Sequence, residues 1–132
     1  MDQKDFDTLI NIVGKENISI GKDINHDLSH DELGTVFAYP DAHIFAIDKN
    51  QISSIMSYAN HENIPVTVRG SGTGLVGACV PLFGGILLDT SKMNKIIELD
   101  KVNMVLRVEP GVLLLDIYEY VDKENLFYAT DP

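Results

Sequence analysis

Three observations predict a small mixed domain, α/β or α+β. Short apolar runs that read as strands alternate with segments of helical periodicity in the first half of the chain, and a hairpin with a final helix follows. A length of 132 residues suits one compact unit with a real core and is too short for two. There are no internal repeats or low-complexity tracts.

In chain order, Phe6, Leu9, Ile10 and Val13 recur at helical spacing and predict a short amphipathic helix ending near Gly14. Residues 21–31 are polar and aperiodic and read as a loop crossing the surface. His43 to Ile47 reads as a strand, after which Asp48 can cap a helix with Ile52, Ile55, Met56 and Ala59 on one face. Pro65-Val66-Thr67-Val68 is a second strand, stopped by a glycine cluster that begins at Gly70. Ile86-Leu87-Leu88 follows Gly84-Gly85 as a continuous apolar run, the pattern of a strand covered on both faces. Ile96 to Leu99 and Met104 to Val108 flank the turn residues 100–103 and predict a hairpin. Leu114, Ile117 and Val121 mark a last helix ending by Asn125. The chain then stops at Tyr128-Ala129-Thr130-Asp131-Pro132 with no closing element, which reads as a fragment or as a chain that needs a partner surface.

Composition excludes several classes. An apolar fraction of 45% and a charged fraction of 23% are ordinary for a soluble domain. A net charge of -10 with no cluster of Lys and Arg argues against nucleic acid as a partner. The N-terminus has neither the basic nor the apolar region of a secretory signal. The most apolar stretch, Leu75 to Leu88, is interrupted by Pro81 and three glycines, so no membrane-spanning helix is expected. A single cysteine, Cys79, fits a reducing compartment, and the cytoplasm is the expected location.

The segment Arg69-Gly70-Ser71-Gly72-Thr73-Gly74-Leu75-Val76-Gly77 is the one that carries chemistry by itself. Its glycines let the backbone turn sharply and approach a ligand closely. Successive backbone N–H groups in such a turn form an anion-binding concavity, to which Ser71 and Thr73 add hydroxyls and Arg69 adds a positive charge. A diphosphate suits that chemistry. A Walker loop would need Gly-Lys-Ser/Thr at its end, and no lysine stands near Gly77. Gly72 to Gly77 matches the Rossmann G-x-G-x-x-G spacing, but Pro81 and Gly84-Gly85 break the helix that this motif must open. A structural turn without a ligand is the remaining alternative from the loop alone.

The run from Pro65 through the glycine loop to Ala78-Cys79-Val80-Pro81 resembles the FAD-binding loop of the vanillyl-alcohol oxidase/para-cresol methylhydroxylase superfamily, especially its D-lactate dehydrogenase and glycolate oxidase D-subunit members. Further blocks match in order: Gly84-Gly85-Ile86-Leu87-Leu88-Asp89, Met93-Asn94-Lys95-Ile96, Val108-Glu109-Pro110-Gly111-Val112 and Asp131-Pro132. Ser29-His30-Asp31-Glu32 and Pro40-Asp41-Ala42 resemble the lead-in to the family's first strand. The resemblance covers roughly residues 29–132. It implies an α+β fold: the first subdomain of a two-subdomain FAD-binding domain of the para-cresol methylhydroxylase (PCMH) type. In it residues 1–38 are an N-terminal helix and lead-in, and residues 39–132 are an incomplete FAD-binding part.

The resemblance further implies that Val68, Arg69, Gly70, Ser71, Gly72, Thr73, Gly74, Leu75 and Gly77 wrap the FAD pyrophosphate, with Pro132 close to the flavin. Related members tether the flavin through a histidine where this chain has Thr73, so non-covalent FAD is implied. Ala129-Thr130 stand where relatives often carry prolines. The second FAD subdomain and the substrate domain would be the missing partners. The implied parent reaction oxidises a 2-hydroxy acid to a 2-oxo acid, with no catalytic residue in this chain and no turnover by it alone. The alternative is a stand-alone dinucleotide-binding module or half of a split flavoprotein.

Other residues have plainer readings. His26 and His30 stand four apart but lack a third ligand, so a solvated loop and no metal are expected. Cys79 reads as a small buried residue, and His43 and His61 as structural. Tyr118, Tyr120, Phe127 and Tyr128 divide between packing under the hairpin and an outer face.

Overall fold

The computed structural model describes residues 1–129. The main sheet has four strands in the order β1-β2-β4-β3, with β1 at Ile18–Ile20, β2 at Ala42–Phe45, β3 at Val66–Arg69 and β4 at Ile86–Asp89. Strands β2, β4 and β3 run parallel, and β1 pairs antiparallel with β2. A separate antiparallel hairpin joins β5 (Ile96–Asp100) to β6 (Val105–Val108). The helices are α1 (Gln3–Val13), α2 (Lys49–Glu62) and α3 (Leu114–Lys123). The fold is therefore α+β, with a short parallel sheet, flanking helices and a hairpin.

Helix boundaries follow local chemistry. Asp2 and Asp5 cap α1 reciprocally: Asp5 N–H donates to the Asp2 carboxylate at 3.0 Å and Asp2 N–H to that of Asp5 at 2.8 Å. Gly14 ends α1 with φ 85°. Asp48 caps α2 by accepting from Asn50 N–H and Gln51 N–H at 2.7 and 2.9 Å. Asn63 closes α2 in the left-handed region at φ 56°.

The core lies between one sheet face and the first two helices. Ala42 and Ile44 on β2 and Ile86 and Leu88 on β4 meet Leu9 and Val13 of α1 and Ile55 and Ala59 of α2, and all of them are buried. Each fully buried Leu or Ile among them contributes about 1.5–3 kcal/mol of transfer free energy. Strand β4 is buried at all four positions, as its unbroken apolar run predicts. Residues of alternate parity, His43, Leu87 and Asp89, face the other side of the sheet and are also buried. Residues 21–31 cross this face as the sequence suggests, with 21–23 and 25–27 exposed and Asp23, Asn25, Asp27 and Leu28 beside His43 and Asp89. Two short 3-10 turns, Gly21–Asp23 and His26–Ser29, bring Ile24, Ser29 and Asp31 under cover.

Two departures have simple causes. Strand β1 has three residues, too few to display a period, and its pairing with β2 is what makes it a strand. Met56 is 45% exposed, because the helix turns its Ile55–Ala59 stripe inward and carries Met56 to the rim. Helix α1 and β1 share the core and sheet with the elements after residue 39.

Candidate functional site

The glycine segment leaves β3 at Arg69 and forms an open loop that returns to β4 at Ile86. No helix opens at Gly77; two turn residues and a bend follow, and the Rossmann reading fails on geometry. Ser71, Thr73, Gly74, Leu75 and Val76 are exposed, as are Val68 and Gly70 just before them. Among the described residues, none accepts a hydrogen bond from the backbone N–H groups of residues 71–76. Six consecutive donors without a protein partner are a polar surface, reachable by a ligand and suited to an anion.

The glycines divide by cause. Gly72 has φ 78°, and a Cβ there would lie 2.1 Å from the Arg69 guanidinium, so the fold itself requires glycine. Gly70 and Gly74 have no positive φ, and a Cβ at either would meet nothing within 4 Å. Nothing within the chain explains glycine at these two positions, whereas close approach by a bound group would. The residues present thus fit a diphosphate.

The lead-in holds the loop from behind. Arg69 Nη1 donates to the His30 carbonyl at 2.8 Å, and Nη2 donates to the Asp27 carbonyl at 3.2 Å. Glu32 N–H donates to the Gly72 carbonyl at 3.1 Å. Gly77 N–H donates to Asp31 Oδ2 at 2.7 Å. Asp31 is 3% exposed and also receives Gly34 N–H at 3.3 Å. These N–H donors, Gly77 foremost, hold its carboxyl below the ordinary carboxylate value despite its burial.

Arg69 therefore points differently from the simplest expectation. Its guanidinium lies beneath Gly72, bonded to carbonyls, and makes no ion pair with a carboxylate among the described residues. Its neighbour across the sheet, Asp89, is engaged elsewhere, bonded to His43 Nε2 at 3.0 Å and to Ser91 N–H at 2.8 Å. Burial pushes the Asp89 carboxyl up, but the His43 and Ser91 hydrogen bonds outweigh it and leave the carboxyl below its ordinary value. A buried cation with no ion-paired carboxylate among the described residues, under N–H donors that lack acceptors there, makes the loop electrostatically receptive to an anion.

Cys79 is half-buried, not fully buried, and its Sγ lies 3.4 Å from Arg69 Nη1. His26 and His30 approach with ring centroids 5.6 Å apart, and no cluster of three metal-ligating side chains exists among the described residues. His43 is buried against Asp89, and His61 is exposed beside Glu62. Tyr118 and Tyr120 are both half-buried, and Phe127 is 86% exposed. Pro132, expected near a flavin, lies outside the described residues. An apolar groove of about 490 Å3 between α3 and residues 126–129 has Glu119 and Asp122 in its lining, so it is the poorer anion site.

A family model described as an FAD binding domain matches residues 40–132. The chain belongs to this FAD-binding family. D-lactate dehydrogenase of Anaerostipes hadrus is 36% identical over 91% of the chain, and the glycolate oxidase subunit GlcD of Bacillus subtilis is 36% identical over 94%. Each match covers 26% of the relative, so the chain spans about a quarter of the length of these curated relatives. Among solved structures, p-cresol methylhydroxylase with substrate bound superposes with a TM-score of 0.74 at 25% identity, over 96% of this chain and 26% of that one. Alkyldihydroxyacetonephosphate synthase superposes with a TM-score of 0.87 over 100% of this chain and 27% of that one; at 17% identity it shows the shared fold. The chain thus has the PCMH-type FAD-binding fold and is a homologue of D-lactate dehydrogenase and glycolate oxidase flavoproteins. Among the described residues no helix is long and apolar enough to cross a membrane.

Proposed function

We propose that residues 68–77 hold the pyrophosphate of non-covalently bound FAD, and that this chain is the cofactor-positioning part of a flavin-dependent oxidoreductase acting on a 2-hydroxy acid. The observation that carries the reading is the row of backbone N–H groups at 71–76 without acceptors among the described residues, with two glycines, Gly70 and Gly74, whose absent Cβ would meet none of those residues within 4 Å. These donors replace the water that a diphosphate loses on binding, and no acceptor among the described residues competes for them. Ser71 and Thr73 offer hydroxyls at the exposed rim of the loop. The Arg69 charge acts from beneath Gly72, through the loop floor and not as a direct clamp.

Non-covalent attachment rests on Thr73: a threonine hydroxyl does not form the flavin bond that a histidine can, and residues 70–78 contain no histidine or cysteine. FAD when bound supplies the two-electron acceptor for hydride from the substrate carbon. The 2-hydroxy-acid assignment rests on the D-lactate dehydrogenase and glycolate oxidase relatives. Substrate-binding and proton-accepting groups are assigned outside this chain, which alone turns over no substrate. The second FAD subdomain and the substrate domain are its partners in this reading, and the cytoplasm is its setting.

The test is an equilibrium titration of the purified protein with FAD, followed by flavin fluorescence. Saturable binding, lost in Gly74→Val and weakened in Arg69→Ala, supports the reading. A folded protein that binds no FAD refutes it. Acid precipitation of the complex should leave all flavin in the supernatant; flavin in the pellet would contradict non-covalent attachment.

A further inference from the structure

The lead-in contains one buried carboxylate whose position is unexpected. An acidic group beside an anion-binding loop opposes the ligand's charge, yet Asp31 is 3% exposed and bonded directly to the loop backbone at Gly77. The contact spans 46 positions in sequence and joins two segments with no strand pairing between them. Gly77 has φ 74°, a left-handed conformation that favours glycine, and its N–H is bonded to the lead-in through Asp31.

We propose that Asp31 is a positioning residue for the cofactor: by capturing Gly77 N–H it fixes the far end of the glycine loop, and the donor row that meets the diphosphate ends at Val76. This rests on the FAD reading above. The loop is then anchored at three points. Arg69 holds its start through the His30 and Asp27 carbonyls, Glu32 N–H holds its middle at the Gly72 carbonyl, and Asp31 holds its end. The N–H groups of residues 71–76 donate to no acceptor among the described residues, so the course of this stretch depends on the anchors. Gly77 N–H is thereby removed from the ligand's donor set, and the carboxylate is satisfied by N–H groups of this chain. Its second oxygen receives Gly34 N–H at 3.3 Å, which orders the lead-in turn at the same time.

Two variants separate anchoring from mere charge. Asp31→Ala removes both acceptors and leaves Gly77 N–H without a partner. Asp31→Asn removes the charge but keeps one carbonyl oxygen for Gly77. The FAD dissociation constant of the purified protein and of each variant is measured below their thermal midpoints, with folding verified by circular dichroism. Anchoring predicts roughly tenfold weaker FAD binding in Asp31→Ala, the loss expected when one hydrogen-bonded anchor is removed, with substantial recovery in Asp31→Asn. A residue that only supports the fold would lower the thermal midpoint and leave the affinity of the folded variants unchanged. Unchanged or tighter binding in Asp31→Ala, or equal loss in both variants, overturns the proposal while FAD binding by the parent protein keeps the wider reading intact. Absence of FAD binding by the parent protein itself refutes the wider reading, and this inference with it.

Discussion

Neighbouring glycines in one loop serve different ends. Gly72 is required by the fold, since its φ is 78° and its Cα faces the Arg69 guanidinium. Gly74 is unconstrained by the chain. Gly72→Ala should therefore destabilise the protein by about 1–3 kcal/mol through backbone strain and displacement of Arg69, measurable by urea denaturation. Gly74→Val should leave stability within about 0.5 kcal/mol and abolish FAD binding. If the two variants behave alike, the division between structural and ligand-facing glycines is wrong. Charge at single residues also sets an acid limit. Asp31 and Asp89 have carboxyls held below their ordinary value of 3.8 in the folded protein. Their stabilisation is complete above the unfolded value and is lost as pH falls through the folded values. Unfolding free energy should then decline below about pH 4, and Asp89→Asn should flatten that decline; an acid limb with wild-type slope in this variant would contradict the assignment.

Elements were legible in the sequence wherever the signal was local. Asp48 sits directly before an apolar stripe, and it caps α2 through Asn50 and Gln51 as the pattern predicts. Asp48→Ala should cost about 1 kcal/mol in thermal or urea denaturation, because α2 loses its side-chain acceptor while its packing is unchanged. The continuous apolar run of β4 and the hairpin were legible for the same reason. Strand β1 was hidden, since Ile18–Ile20 becomes a strand only by lying against β2. The lead-in crosses the surface as its polar sequence suggests, with residues 21–23 and 25–27 exposed, but its buried residues, Ile24, Ser29 and Asp31, follow no period and are not legible. Their burial comes from a sheet face that is distant in sequence. The glycine loop was visible at once, but the direction of the Arg69 side chain and the Asp31–Gly77 bond were not, as both depend on packing across about 40 residues of chain.

At the scale of the whole molecule, the sheet and two helices form a packed base from which the loop projects, and the lead-in ties that loop down. Because the loop exists as a site only in the folded chain, cofactor affinity couples directly to folding. FAD at about 100 times its dissociation constant should raise stability by roughly 2.7 kcal/mol, seen as a rise of several degrees in the thermal midpoint. Gly74→Val should show no such rise. The central claim is that the backbone amides of residues 71–76 meet the diphosphate, and amide 1H–15N spectra recorded during an FAD titration address it most directly. The account predicts large shifts at Ser71, Gly72, Thr73, Gly74, Leu75 and Val76, with Gly77 little changed. Loop amides that stay in place, while shifts gather around Tyr118 and Phe127 beside α3, would contradict it.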